Sequence, residues 1–188
     1  SEVRASVAAC DTAVEAPLVA FISKMVAIPR SAVTQGYVDK DDGTVFVAFA
    51  RVFSGCLTST ASATAGREML VLGPKFDPIS PEYQTVQADS LQFFMIMGTE
   101  FKPLEKVPAG SIVAITGLEE TVVKTATLSS TSACPSFVPM PAQAQPILSV
   151  AVEAVSPLDI PALDRGVQLL NQADACVQIR RGRSGELL

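Results

Sequence analysis

Short apolar runs broken by turn residues constrain this chain more than any other feature. The runs are Leu18 to Ile28, Val45 to Leu57, Glu68 to Leu72, Leu91 to Phe101, Ser111 to Ile115 and Val122 to Leu128. Phe, Val and Ile are common in them, as strands prefer. The breaks have turn chemistry. Asp41-Asp42-Gly43 marks a hairpin end, and Gly73-Pro74 stops the third run. Val107-Pro108-Ala109-Gly110 fits a type I turn, with proline presetting φ at the second position and glycine at the fourth. Six strands with short connections and no convincing helix predict a closed or nearly closed β-barrel over residues 16–131. In the second run Phe49 and Phe53 share one strand face by period two, and that face is expected to point inward.

The pattern changes on either side of this region. Residues 1–15 are small, polar and weakly charged, and read as a linker or the end of a helix. Residues 132–145 include Cys134-Pro135-Ser136-Phe137-Val138-Pro139-Met140-Pro141, too proline-rich for sheet interior, and read as an extended linker. Residues 146–188 predict a partial α/β unit. Ile147 to Val152 reads as a strand, Leu158 to Ala173 as a helix and Cys176 to Ile179 as a second strand. Leu163, Val167 and Leu170 recur at helical spacing. Ser156 is placed to cap the helix with Pro157 at its first position, and Pro161 shifts the start. A β-α-β unit with a stub cannot bury both faces of its sheet alone.

Composition narrows the chemistry. The 188 residues are 48% apolar, enough for a packed core, and no apolar run is long enough to span a membrane. The start, Ser1-Glu2-Val3-Arg4, lacks the pattern of a signal peptide. Histidine is absent, which removes the commonest general base, the Ser-His and Cys-His pairs and every His-containing metal site. Cys10, Cys56, Cys134 and Cys176 are too widely spaced for a Cys-x-x-Cys motif and fit reduced thiols in a cytosolic protein. The net charge of −5 gives no bulk attraction to nucleic acid, so any RNA contact has to be local.

Few residues carry candidate chemistry. Neither GxxxxGK[ST] nor GxGxxG is present, so no standard phosphate loop exists in this sequence. Asp39-Lys40-Asp41-Asp42-Gly43 has some calcium-loop character, but Ala50 stands where the closing glutamate belongs, and a solvated loop fits better. Glu119-Glu120 are neighbours that would point to opposite faces of a strand. Arg51, inside the richest apolar strand, reads as a rim arginine with a packed stem and a solvated head, or as a guanidinium for RNA phosphate or a partner. Lys24 and Lys75 read the same way. Arg180, Arg181 and Arg183 form the only basic cluster, either solvated or meeting RNA.

A family resemblance covers nearly the whole chain from about Cys10. Cys10-Asp11, Ala16-Pro17-Leu18 and Phe21-Ile22-Ser23-Lys24-Met25 are similar to the exit from the GTP-binding domain of elongation factor 2-like translational GTPases. Ala48-Phe49-Ala50-Arg51-Val52-Phe53-Ser54-Gly55 resembles their second-domain signature. Leu72-Gly73-Pro74-Lys75, Met97-Gly98, Val107-Pro108-Ala109-Gly110 and Lys124-Thr125-Ala126-Thr127-Leu128 follow in the same order. Cys134 to Pro139, Pro146-Ile147, Val150 to Glu153 and Leu169 to Ile179 look more like the elongation factor-like GTPases of large-subunit maturation. Two features depart from that pattern: a short segment from Pro29 to Thr44, and Arg180-Arg181-Gly182-Arg183 where an aliphatic strand is usual.

The resemblance implies a mainly β chain: a translation-factor-type Greek-key β-barrel, then a partial ferredoxin-like β-α-β unit. It implies a parent GTP hydrolase that uses GTP and Mg2+, with this chain supplying contacts and no catalytic residue. The implied partners are the large ribosomal subunit and the Shwachman–Diamond syndrome protein, and indirectly eukaryotic initiation factor 6, which the family evicts from late cytoplasmic precursors. Lys24, Arg51, Lys75, Arg180, Arg181 and Arg183 are the candidate contacts. The translocase elongation factor 2, a spliceosomal relative and a stand-alone binding barrel remain alternatives on these residues.

Overall fold

Side-chain alternation and a few glycines set the strand pattern. The computed structural model describes residues 2–33, 43–59, 68–74, 76, 83–87, 90–138, 148–174, 176–180 and 182. Helix α1 spans Glu2–Ala9. The strands are β1 (Val19–Pro29), β2 (Thr44–Ser54), β3 (Cys56–Thr58), β4 (Glu68–Leu72), β5 (Gln84–Gln87), β6 (Gln92–Met97), β7 (Glu100–Leu104), β8 (Lys106–Pro108), β9 (Ile112–Thr116) and β10 (Ala126–Ser129). Helix α2 spans Ile160–Ala173. The chain divides into two compact units, Ser1–Pro139 and Met140–Leu188.

The first unit is the antiparallel β-barrel. Its main sheet runs β5-β4-β10-β1-β2-β9-β6-β7, and β3 pairs with β8 separately. Gly55 separates β2 from β3, and Glu105 separates β7 from β8. The pairs β2–β9, β9–β6, β6–β7 and β8–β3 therefore close a ring of strands. One core draws on both ends of the sheet, from Val86 of β5 to Leu104 of β7, with Ile22, Met25, Leu57, Ile115 and Leu128 fully buried between them. Closure of this kind removes unpaired edges from most of the sheet.

The six apolar runs account for eight of the ten strands among the described residues. Gly55 splits the second run, and the Gly98 turn splits the fourth into the β6–β7 hairpin. Strands β5 and β8 escape the pattern because each buries a single side chain, Val86 and Val107. The turn after β8 also differs from the type I expectation. The Ser111 N–H donates to the Pro108 carbonyl at 3.3 Å, and Gly110 has φ +89°. The turn thus starts one residue later than predicted and has the positive φ of a type II third position, which needs glycine.

The expectation for Phe49 and Phe53 is reversed. The core face of β2 carries Phe46, Ala48, Ala50 and Val52, while Phe49, Arg51 and Phe53 lie on the outer face. Alanines let the facing strands of a small barrel approach closely, and the larger rings find cover outside. Strand β1 has a bulge between Ile22 and Lys24. Ser23 is the extra residue, and its hydroxyl donates to the Phe49 carbonyl at 3.2 Å. The bulge resets the alternation, so Ile22 and Met25 both enter the core and Lys24 points out.

Helix α1 covers part of the outer face. Val3 is buried with Val19, Leu72 and Cys134, and Val7, Phe53, Leu70, Phe76 and Phe137 pack against them. The segment after α1 is tied to the barrel. The Gly55 N–H donates to the Asp11 carbonyl at 2.8 Å. Gly55 has φ +78°, and a Cβ there would lie 2.9 Å from the Leu18 Cα. Only glycine suits that corner.

In the second unit a single turn of 3-10 helix, Pro157–Asp159, precedes α2. Ser156 Oγ accepts from the Leu158 N–H at 3.3 Å, as a cap does, and Pro161 marks the shifted α-helical start. Among the described residues, the segments flanking the helix hold one isolated bridge, at Val152, in place of paired strands. No helix is long and apolar enough to cross a membrane, among the described residues.

Candidate partner-binding surface

The outer face of the β1–β2 pair brings two of the predicted cations together. Lys24 pairs in register with Phe49, and Phe21 with Arg51. Phe49 and Arg51 are two apart on one strand, so their Cα atoms lie about 7 Å apart on the same face. Both cations are exposed, and each lies over a ring. Lys24 Nζ is 5.4 Å from the centre of Phe49, and the Arg51 guanidinium carbon is 5.3 Å from the centre of Phe53. Neither has a carboxylate partner among the described residues. A guanidinium held over a ring keeps N–H groups free for an anion.

Phe137 completes the cluster. Its ring lies 4.9 Å from Phe53 in a stacked arrangement and 5.5 Å from Phe21. Its N–H donates to Thr127 Oγ1 at 2.9 Å. Sequence reasoning placed Phe137 in a linker and missed this role. The available signal was an aromatic residue inside an otherwise proline-rich segment.

Arg180 is exposed in the second unit, with Nη2 3.4 Å from Gln178 Oε1. Lys75, Arg181 and Arg183 lie outside the described residues, as do Asp39 to Asp42. Glu119 and Glu120 occupy a turn after β9, not a strand. Buried Cys134 has its pKa pushed above the ordinary thiol value by loss of solvent, partly offset by a hydrogen bond from Ser129. A thiol in that setting is a packing residue, not a nucleophile.

The N-termini of the two described α-helices carry acidic residues or proline. Helix α1 opens with Glu2, and α2 has Asp159 at its N-cap and Pro161, which lacks an N–H, in its first turn. Neither end is a phosphate cradle. Among the described residues no three His, Cys, Asp or Glu side chains group closely enough to hold a metal ion. The arrangement supports binding by local charge.

Comparison with known proteins agrees with the sequence resemblance. No family model matches the chain. Ribosome assembly protein 1 of Schizosaccharomyces pombe is 41% identical over 146 residues, covering 78% of this chain. Elongation factor-like GTPase 1 of Homo sapiens is 40% identical over 158 residues and that of Mus musculus 39%, each covering 75% of this chain. The matched stretch is 14% of the length of each of these relatives. A crystal structure of a Thermus thermophilus protein matches 91% of this chain and 21% of its own, with a TM-score of 0.55 at 19% identity, which shows a shared fold. Over its aligned stretch this chain is a homologue of one segment of the ribosome assembly protein 1 and elongation factor-like GTPase 1 family.

Proposed function

We propose that this chain provides non-catalytic docking domains of a ribosome-associated GTPase that acts in maturation of the large ribosomal subunit. The observation that carries the reading is the alignment of three-quarters of the chain with ribosome assembly protein 1 and elongation factor-like GTPase 1. In this reading the parent binds GTP and Mg2+ elsewhere and works in the cytoplasm. Its partners are the large subunit and the Shwachman–Diamond syndrome protein, and the outcome is release of eukaryotic initiation factor 6. The barrel contributes a rigid surface on which Lys24 and Arg51 meet ribosomal RNA phosphates. Their aromatic platforms fix the charges before contact, which lowers the ordering cost of binding. Nucleotide state changes how the barrel sits against its neighbours, a rigid-body rearrangement.

Sucrose-gradient sedimentation of the full chain with purified large-subunit precursors and with small subunits tests this reading. Comigration with the precursors, dependent on salt, is expected. Equal or stronger comigration with small subunits contradicts it.

A further inference from the structure

We infer that Phe137 is a positioning residue for Arg51, acting through Phe53, so that the strap following β10 sets the pose of a partner-contacting cation. The inference rests on the reading of Arg51 as a phosphate contact. Thr127, fully buried in β10, anchors the strap by accepting the Phe137 N–H at 2.9 Å. The ring then touches both aromatic neighbours of Arg51. One is Phe21, the register partner of Arg51 across the β1–β2 pair, and the other is Phe53, two residues along β2. Phe53 in turn carries the Arg51 guanidinium at 5.3 Å.

The physical consequence is a chain of contacts from Phe137 through Phe53 to the guanidinium. A phenylalanine ring keeps one rotamer only while its neighbours exclude the others. Removing the Phe137 ring opens space beside Phe53, and the guanidinium loses a fixed platform. A bidentate phosphate contact needs a guanidinium of defined plane, so loss of order weakens binding without touching the charge. A Phe137 that only covered the barrel would lower stability and leave the guanidinium where it is.

Two readouts on the full chain test this. The first is the Arg51 Nε–Hε resonance in a nitrogen–proton correlation spectrum, which the Phe53 ring is expected to displace. Phe137→Ala is expected to move it toward the value of a free arginine, and Phe137→Tyr to restore it. The second is affinity for purified large ribosomal subunits in a double-mutant cycle. Phe137→Ala is expected to weaken binding about threefold beside Arg51 and not at all on an Arg51→Ala background. A resonance unmoved by Phe137→Ala in a folded barrel overturns the inference. Equal weakening in both backgrounds also overturns it, because Phe137 then acts on its own. Where Phe137→Ala does not fold, Phe137→Leu keeps most of the volume, loses the flat ring and faces the same outcomes. An Arg51→Ala change that leaves subunit binding intact contradicts the docking reading instead, and the resonance still decides the role of Phe137.

Discussion

The barrel and the segment around α2 both display amphipathic elements, yet only the barrel closes over them. Phe93, Ile22, Met25, Leu57 and Leu72 are fully buried in the first unit. Helix α2 has no buried residue: Leu163 and Val167 are half-buried, and Leu170 is 51% exposed. The difference is architectural. A sheet that curls brings its own two ends onto one core, so strands with two or three inward residues suffice. A single helix has one apolar stripe and needs a second layer to cover it.

The largest effect expected from this contrast is in hydrogen exchange. Amides of β1 and β2 should exchange at least about a thousandfold more slowly than those of α2 in the full chain at low concentration. Equal protection would show that the second unit is self-sufficient. Substitution sharpens the same comparison. Phe93→Ala should cost roughly 3–5 kcal/mol in denaturant unfolding, the loss typical of a fully buried aromatic. Leu163→Ala, on the half-buried stripe of α2, should move the barrel transition by less than about 0.5 kcal/mol. A large shift from Leu163→Ala would mean that the two units unfold together.

Phe49→Ala separates the two faces of one strand. With the ring outside the core and under Lys24, the cost should be about 1 kcal/mol, well below that of Phe93→Ala. A cost equal to that of Phe93→Ala would put Phe49 back inside. The smallest effect concerns Cys134. Burial raises its pKa in the folded state, so its contribution to stability is intact below the ordinary thiol pKa and declines as pH rises through and above it. Iodoacetamide labelling followed by mass spectrometry should modify the exposed Cys10 and Cys176 first, with Cys134 protected until unfolding. Early modification of Cys134 would contradict that burial.

Strand existence was legible where several apolar residues alternate, as in β1, β2 and β9. It was not legible in Gln84–Gln87 or Lys106–Pro108, where a single valine carries the burial. The inward face of β2 was misread because aromatic residues outweigh alanine in a hydrophobic count, whereas a narrow barrel interior selects for small volume. The bulge at Ser23 left no mark in the composition, so the outward direction of Lys24 could not be derived from period two. Lys24 and Arg51 were visible as isolated charges in apolar strands. Their shared surface with Phe137 was not, because that ring comes from a segment more than a hundred residues from β1 and is placed by the closure of the sheet.

Docking of the barrel on RNA through Lys24 and Arg51 is the proposal most open to direct test. The most direct measurement is affinity of the full chain for purified large ribosomal subunits across a salt series, for wild type and for Lys24→Ala/Arg51→Ala. Each phosphate contact contributes roughly 0.7–0.9 to the slope of log affinity against log salt. The double variant is expected to bind more weakly, with a slope shallower by between about 1 and 2. An unchanged affinity and slope in a folded double variant would contradict it.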